Sequence, residues 1–147
     1  MKPILALVLT AFLPTAVLAE DTAQPDAPAW ILPEYEGDLS AFLWHNRPVV
    51  VFADSAEDPR FQDQLQRLEK GAEDLLERDV VVLTDTDPGK NSELRKKLRP
   101  RGFMLVLVGK DGGVKLRKPH PWSVRELSRT IDKFPSRLRE VEERRGS

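Results

Sequence analysis

Few side chains in this 147-residue sequence are of types that do chemistry, and the sequence contains no cysteine. Without a sulfur nucleophile there is no thiol–disulfide exchange, no peroxidatic thiolate, no thiolate metal site and no iron–sulfur cluster. The two histidines, His45 and His120, lie far apart and lack the partners a metal site needs, so neither a metal nor a cofactor is expected. The best remaining constellation is Asp54-Ser55-Ala56-Glu57-Asp58-Pro59-Arg60. There Ser55 could act as a weak nucleophile or a ligand donor, with Asp58 and Arg60 as partners. No histidine stands nearby in sequence to activate it. The same residues also suit the start of a helix: Ser55 and Asp58 have the spacing of a capping box, and Asp58-Pro59 reads as an N-cap with proline in the first turn. Capping is the favoured reading.

Two glycine-containing loops imitate nucleotide and cation sites. In Thr84-Asp85-Thr86-Asp87-Pro88-Gly89-Lys90-Asn91, Thr84 replaces the first glycine of a phosphate loop and Asn91 replaces the hydroxyl that holds magnesium. Read as an EF-hand it fails as well, because Lys90 stands at the turn glycine and Lys96 at the bidentate glutamate. Gly109-Lys110-Asp111-Gly112-Gly113 bridges two strand-like runs and reads as a hairpin turn.

The total of 23 basic against 24 acidic residues hides a strong segregation. Residues 54–87 hold 11 acids and 4 bases, whereas residues 90–118 hold 10 bases and 2 acids. The bases of the second stretch are Lys90, Arg95, Lys96, Lys97, Arg99, Arg101, Lys110, Lys115, Arg117 and Lys118. If they share a face, they form an anion-binding patch for lipid head groups, glycans or an acidic protein. Otherwise they are a solvated surface. Phe103 is the only aromatic residue among them, so stacking on bases is unsupported and no nucleic-acid partner is expected.

These residues need a scaffold. Pro48–Ala53, Val80–Leu83 and Phe103–Val108 are short, continuously apolar runs rich in β-branched residues, as in sheet strands covered on both faces. Gly113–Lys118 alternates, with Val114 and Leu116 predicted inward and Lys115 and Arg117 outward. Between the strands, Phe61, Leu65, Leu68, Ala72, Leu75 and Leu76 repeat at helical spacing. Leu94 and Leu98 mark a short basic helix, and Leu39, Phe42, Leu43 and Trp44 a short helical element. Val124, Leu127, Ile131 and Phe134 form a stripe behind the N-cap candidate Ser123; Pro135 interrupts it before Leu138 and Val141. A free stripe over 123–141 would allow a homo-oligomer. The order, βαβ followed by ββα, is that of a thioredoxin-like α/β domain with a central mixed sheet flanked by helices.

Residues 1–19 read as a signal peptide, with Lys2, an apolar run from Ile4 to Leu13, and Val17 and Ala19 before the cleavage point. The run is shorter than the ~20 residues of a spanning helix. No transmembrane segment is expected in the mature chain, which would be exported: periplasmic in a Gram-negative source, otherwise secreted. Residues 20–29 read as a flexible linker and 30–147 as the domain.

NRPVVVFADSAEDPRFQDQL (46–65), LLERDVVVL (75–83), GFMLVLVGKDGGVKLR (102–117) and ELSRTIDKFPSRLREV (126–141) resemble the thioredoxin- and peroxiredoxin-like family DUF4174. The resemblance covers roughly residues 38–141 and implies small exported bacterial relatives. In thioredoxins, a C-x-x-C pair stands where Ser55-Ala56-Glu57-Asp58 stands here, and a cis-proline where Met104 stands. With both hallmarks absent, the expected function is a non-catalytic binding or interaction module. The alternative is an enzyme with a non-thiol site in the Ser55–Arg60 loop.

Overall fold

The computed structural model describes residues 29–147, so the leader at 1–19 and nearly all of the linker at 20–29 lie outside the described residues. The strands are β1 (Ile31–Leu32), β2 (Arg47–Phe52), β3 (Val80–Asp85), β4 (Met104–Val108) and β5 (Val114–Lys118). They form one sheet in the order β1-β3-β2-β4-β5. Strands β1, β3 and β2 run parallel, while β4 is antiparallel to β2 and β5 to β4. Every residue of β2 and β3 is buried, which is why Pro48–Phe52 and Val80–Leu83 are apolar without alternation, the buried polar residues Arg47, Thr84 and Asp85 lying at the strand ends.

Helices cover both faces. On one, Val49, Val51, Val82, Leu105 and Leu107 pack with Leu68 of α1 (Pro59–Lys70), Leu75 of α2 (Ala72–Glu77), and Leu127 and Ile131 of α4 (Val124–Asp132). On the other, Val50, Phe52, Leu83, Val106 and Val108 pack with Leu94 and Leu98 of α3 (Glu93–Leu98) and with Leu39. The last helix, α5 (Pro135–Arg145), begins at the expected proline break. Each fully buried aliphatic side chain contributes about 1.5–3 kcal/mol, and these two clusters are the main source of stability.

The structure departs from the sequence reading at four places. The two-residue β1 was not anticipated. The helical stripe expected from Phe61 to Leu76 is broken at Gly71, where a Cβ would come within 2.5 Å of Val124 Cγ1. Alternation along β5 fails: Val114 is 42% exposed, because the β4–β5 register shifts at Leu107/Val108, while Leu116 still packs on the core. Finally, the stripe offered for self-association is turned inward, with Leu127 and Ile131 buried and Val124 and Phe134 packed against the core. Only Leu138 of that stripe is strongly exposed.

Candidate functional site

The Ser55–Arg60 loop leaves the carboxyl end of β2, the end at which open α/β sheets bind ligands. Its side chains are engaged with one another. The Ser55 hydroxyl donates to Glu57 Oε2 at 2.5 Å and accepts from the Glu57 backbone N–H at 3.1 Å. Asp58 caps α1 by accepting from the Arg60 N–H at 2.9 Å. The Arg60 guanidinium returns two hydrogen bonds to the same carboxylate, at 3.2 and 2.9 Å. Those side-chain bonds are the main reason the Asp58 carboxyl lies below its usual range. The Ser55 hydroxyl is the main reason that of Glu57 does. Arg60 also lies over the ring of Phe103, 5.6 Å from its centroid. Phe103 is buried immediately before β4, and Met104, the first residue of β4, pairs with Phe52. The loop therefore joins Asp58 and Arg60 as the cap of α1, while Ser55 stands apart from them with its hydroxyl on the Glu57 carboxylate.

Beneath the loop, Arg95 clamps the two strand ends. Its Nε donates to Asp85 Oδ1 at 2.9 Å, and its Nη2 donates to the backbone oxygens of Ala53 at 2.8 Å and Asp85 at 3.1 Å. The guanidinium lies 5.4 Å from the centroid of Phe52, and Ser92 donates to the other Asp85 oxygen. Arg95, proposed from sequence as part of a basic patch, is thus buried and tied to its own backbone.

The other nine bases do not gather. Lys110 lies at the opposite pole, donating to Asp79 Oδ2 at 2.8 Å and Glu140 Oε1 at 2.7 Å with its side chain largely buried. Lys90 pairs with Glu36, Lys96 with Glu93, and Lys115 with Asp111. Arg117 reaches the Leu98 carbonyl on the α3 face. Lys118 instead lies 5.0 Å from the ring centroid of Trp122, which packs on the opposite core cluster. Lys97, Arg99 and Arg101 are exposed. Contiguity in sequence placed these charges on both faces of the sheet, at one pole and in the interior.

Two features escaped the sequence reading. The first is a cationic groove between α1–α2 and α4, about 570 Å³ in volume. Arg67, Lys70 and Arg78 line one wall and Arg125 and Arg129 the other, against two carboxylates, Asp74 and Asp132. Asp132 is already held by Arg78 through two bonds, at 2.8 and 2.9 Å. The signal was present as helical spacing, 67–70–74–78 facing 125–129–132, but segmental charge counting concealed it. The second is Arg47, fully buried at the start of β2. It donates to Glu140 at 2.8 and 3.2 Å, to Ser136 Oγ at 3.0 Å and to the Arg78 carbonyl at 2.9 Å. Burial alone would raise the Glu140 carboxyl; the bonds and charges of Arg47 and Lys110 outweigh it and hold the pKa at about 2.

Comparison with known proteins agrees with this architecture. A reduced 2-Cys peroxiredoxin of Plasmodium vivax superposes with a TM-score of 0.53 at 16% identity, over 71% of this chain and 84% of that one. Thioredoxin-2 of the malaria parasite gives a TM-score of 0.49 at 21% identity, over 60% and 84%. The fold is thioredoxin-like. Coiled-coil domain-containing protein 80 of Danio rerio is 31% identical over 136 aligned residues, covering 72% of this chain. The chain spans 16% of the length of that relative. Residues 38–140 match the family Domain of unknown function (DUF4174). With that match running from residue 38, ahead of β2, into α5, the chain belongs to the DUF4174 family, as a thioredoxin-like member without cysteine.

Proposed function

We propose that the chain is an exported, non-catalytic binding module that attaches to anionic surfaces such as lipid head groups or glycans. The observation that carries this reading is the condition of the loop after β2. Ser55 is bonded to Glu57, and Asp58 is engaged by the Arg60 N–H and guanidinium, so the position that hosts thiol chemistry in thioredoxins holds a helix cap here. Cations supply the binding surface. Lys97, Arg99 and Arg101 on and after α3 are one contribution, and the groove formed by Arg67, Lys70, Arg125 and Arg129 is a second. Export rests on the Lys2-to-Ala19 leader pattern.

The test is binding to anionic liposomes and to sulfated glycans at about 20 mM and about 300 mM salt, since exposed charges are screened over a few ångströms at the higher value. Affinity should be measurable at low salt and fall by at least about tenfold at high salt, in keeping with that screening. Arg125→Ala/Arg129→Ala and Lys97→Ala/Arg99→Ala then apportion the loss between the groove and the α3 face. Absence of binding to both surfaces at low salt would end the proposal.

A further inference from the structure

Trp44 is the most exposed large apolar side chain among the described residues, at 72%, and the only aromatic among the five described non-glycine residues at positive φ, here +67°. That region is unfavourable for a bulky residue, and such strain tends to persist at ligand-binding positions where the surroundings enforce it. Here the Trp44 N–H donates to the Lys110 carbonyl at 2.8 Å, which pins the turn to the β4–β5 hairpin. The core gains little from an indole left in water, so packing does not explain the strain.

The indole borders a cavity of about 330 Å³, within the range of small-molecule sites. Phe134 and Pro135 provide further apolar wall, and Lys110, Lys115, Ser136 and Arg139 provide the polar one. Asp111, the only carboxylate on the lining, is bound to Lys115 at 3.0 Å. Lys110 is fixed by Asp79 and Glu140, and the Ser136 oxygen accepts from Arg47. Arg139 is exposed and has no ion-pair partner among the described residues. The cavity thus combines the open indole of Trp44, the exposed edge of a Phe134 ring that has Lys115 Nζ 5.9 Å from its centroid, one free guanidinium and an excess of positive charge.

We propose that this cavity binds a small aromatic carboxylate, its ring against Trp44 and Phe134 and its carboxylate on Arg139. Aromatic rings pair in offset or edge-on contact with indole and phenyl groups. The guanidinium fork matches a carboxylate in bidentate geometry. A single free guanidinium in so small a volume suits one carboxylate better than a polyphosphate. This site is separate from the anionic-surface binding proposed above, which uses neither Trp44 nor Arg139.

The experiment uses four probes on the folded chain: indole-3-acetate, benzoate, neutral indole and acetate. Binding is measured by calorimetry and by the indole N–H resonance of Trp44. The two aromatic acids should bind and shift that resonance, while indole and acetate, each lacking half of the ligand, should bind at least about tenfold more weakly. Arg139→Gln should weaken the acids by a similar factor, while Arg144→Gln, on the same helix but outside the cavity lining, should leave them unchanged. Trp44→Gly relieves the left-handed backbone, so it should abolish binding while the melting temperature holds or rises. The proposal is overturned if the aromatic acids leave the Trp44 resonance unmoved, if indole binds as well as indole-3-acetate, or if Arg139→Gln binds like the parent. It is equally overturned if Trp44→Gly melts well below the parent, which would make Trp44 a residue of the fold.

Discussion

Replacing Glu140 with glutamine probes how the first residue of β2 is anchored. The Arg47 side chain is fully buried, and Glu140 is its only charged partner among the described residues; Glu140 in turn also pairs with Lys110 and Arg137. The Glu140 carboxyl sits at about 2 instead of its ordinary 4.5. Unscreened, that difference is worth about 3 kcal/mol in the ionised state. Glu140 retains one fifth of its side-chain exposure, and solvent screening reduces the figure to about 2 kcal/mol. Glutamine offers Arg47 one oxygen where glutamate offered two, and the Arg78 carbonyl and Ser136 remain, so the guanidinium loses one hydrogen bond together with its countercharge. Glu140→Gln should therefore lose about 2–3 kcal/mol at pH 7, a large part of the ~5–15 kcal/mol that holds a typical domain together. The sign follows from the lowered pKa. The stabilisation is complete above the unfolded value of 4.5 and disappears as the pH falls through about 2. In urea unfolding, the gap between parent and variant should be full at pH 7, roughly halved near pH 3 and closed near pH 2. Other lowered carboxylates, such as Asp58 and Asp132, titrate alike in both proteins and cancel in the difference. A gap below about 1 kcal/mol at pH 7, or one that is the same at pH 7 and pH 3, would refute the assignment of Arg47 and Glu140 as an energetically coupled pair.

Two further substitutions test other parts of the structure. Asp58→Ala removes the α1 cap and should cost about 1 kcal/mol in thermal or urea unfolding, whereas Ser55→Ala, which loses two exposed bonds to Glu57, should cost less than about 0.5 kcal/mol and leave any hydrolase or peroxidase activity of the preparation unchanged. Gly71→Ala drives a methyl group into Val124 and should destabilise by about 1–3 kcal/mol, and adding Val124→Ala should recover part of that loss if the clash is the cause.

The central strands were legible because β2, β3 and β4 are covered on both faces, so their middles are continuous runs of Val, Leu and Phe, with buried polar residues only at strand ends (Arg47, Thr84 and Asp85). The helix starts were legible through Asp58-Pro59 and Ser123, whose side chains do cap. The break at Gly71 was not, because a glycine inside an apolar stripe discloses nothing of the neighbouring helix that crowds it. Strand β1 was missed because two residues carry no period. At the loop, Asp58-Pro59 disclosed the α1 cap, whereas the capping-box spacing of Ser55 and Asp58 misled, because the Ser55 hydroxyl accepts from the Glu57 N–H and not from that of Asp58. The basic set was the least legible. A charge count along the chain cannot separate Arg95 and Lys110, which are held by internal partners, from exposed Arg99, nor detect that Arg67 and Arg129 face one groove. Arg47 gave no warning either, since arginine is ordinarily a surface residue and its burial depends on a glutamate 93 positions away.

Strand β5 closes one side of the sheet, pairing with β4 along one edge and leaving its other row of backbone groups without a strand partner among the described residues. Such a row is a template on which another chain can add a strand and propagate aggregation. β5 carries Lys115, Arg117 and Lys118 within five residues, and the register shift at Leu107/Val108 bends the ladder beside it. A second copy approaching edge to edge would meet like charge on an irregular ladder. At the opposite side, β1 offers only two residues to extend from. A sheet that has no disulfide to lock its edges is thereby kept from growing, and three of the bases that suggested a ligand also act as a barrier to unwanted strand addition.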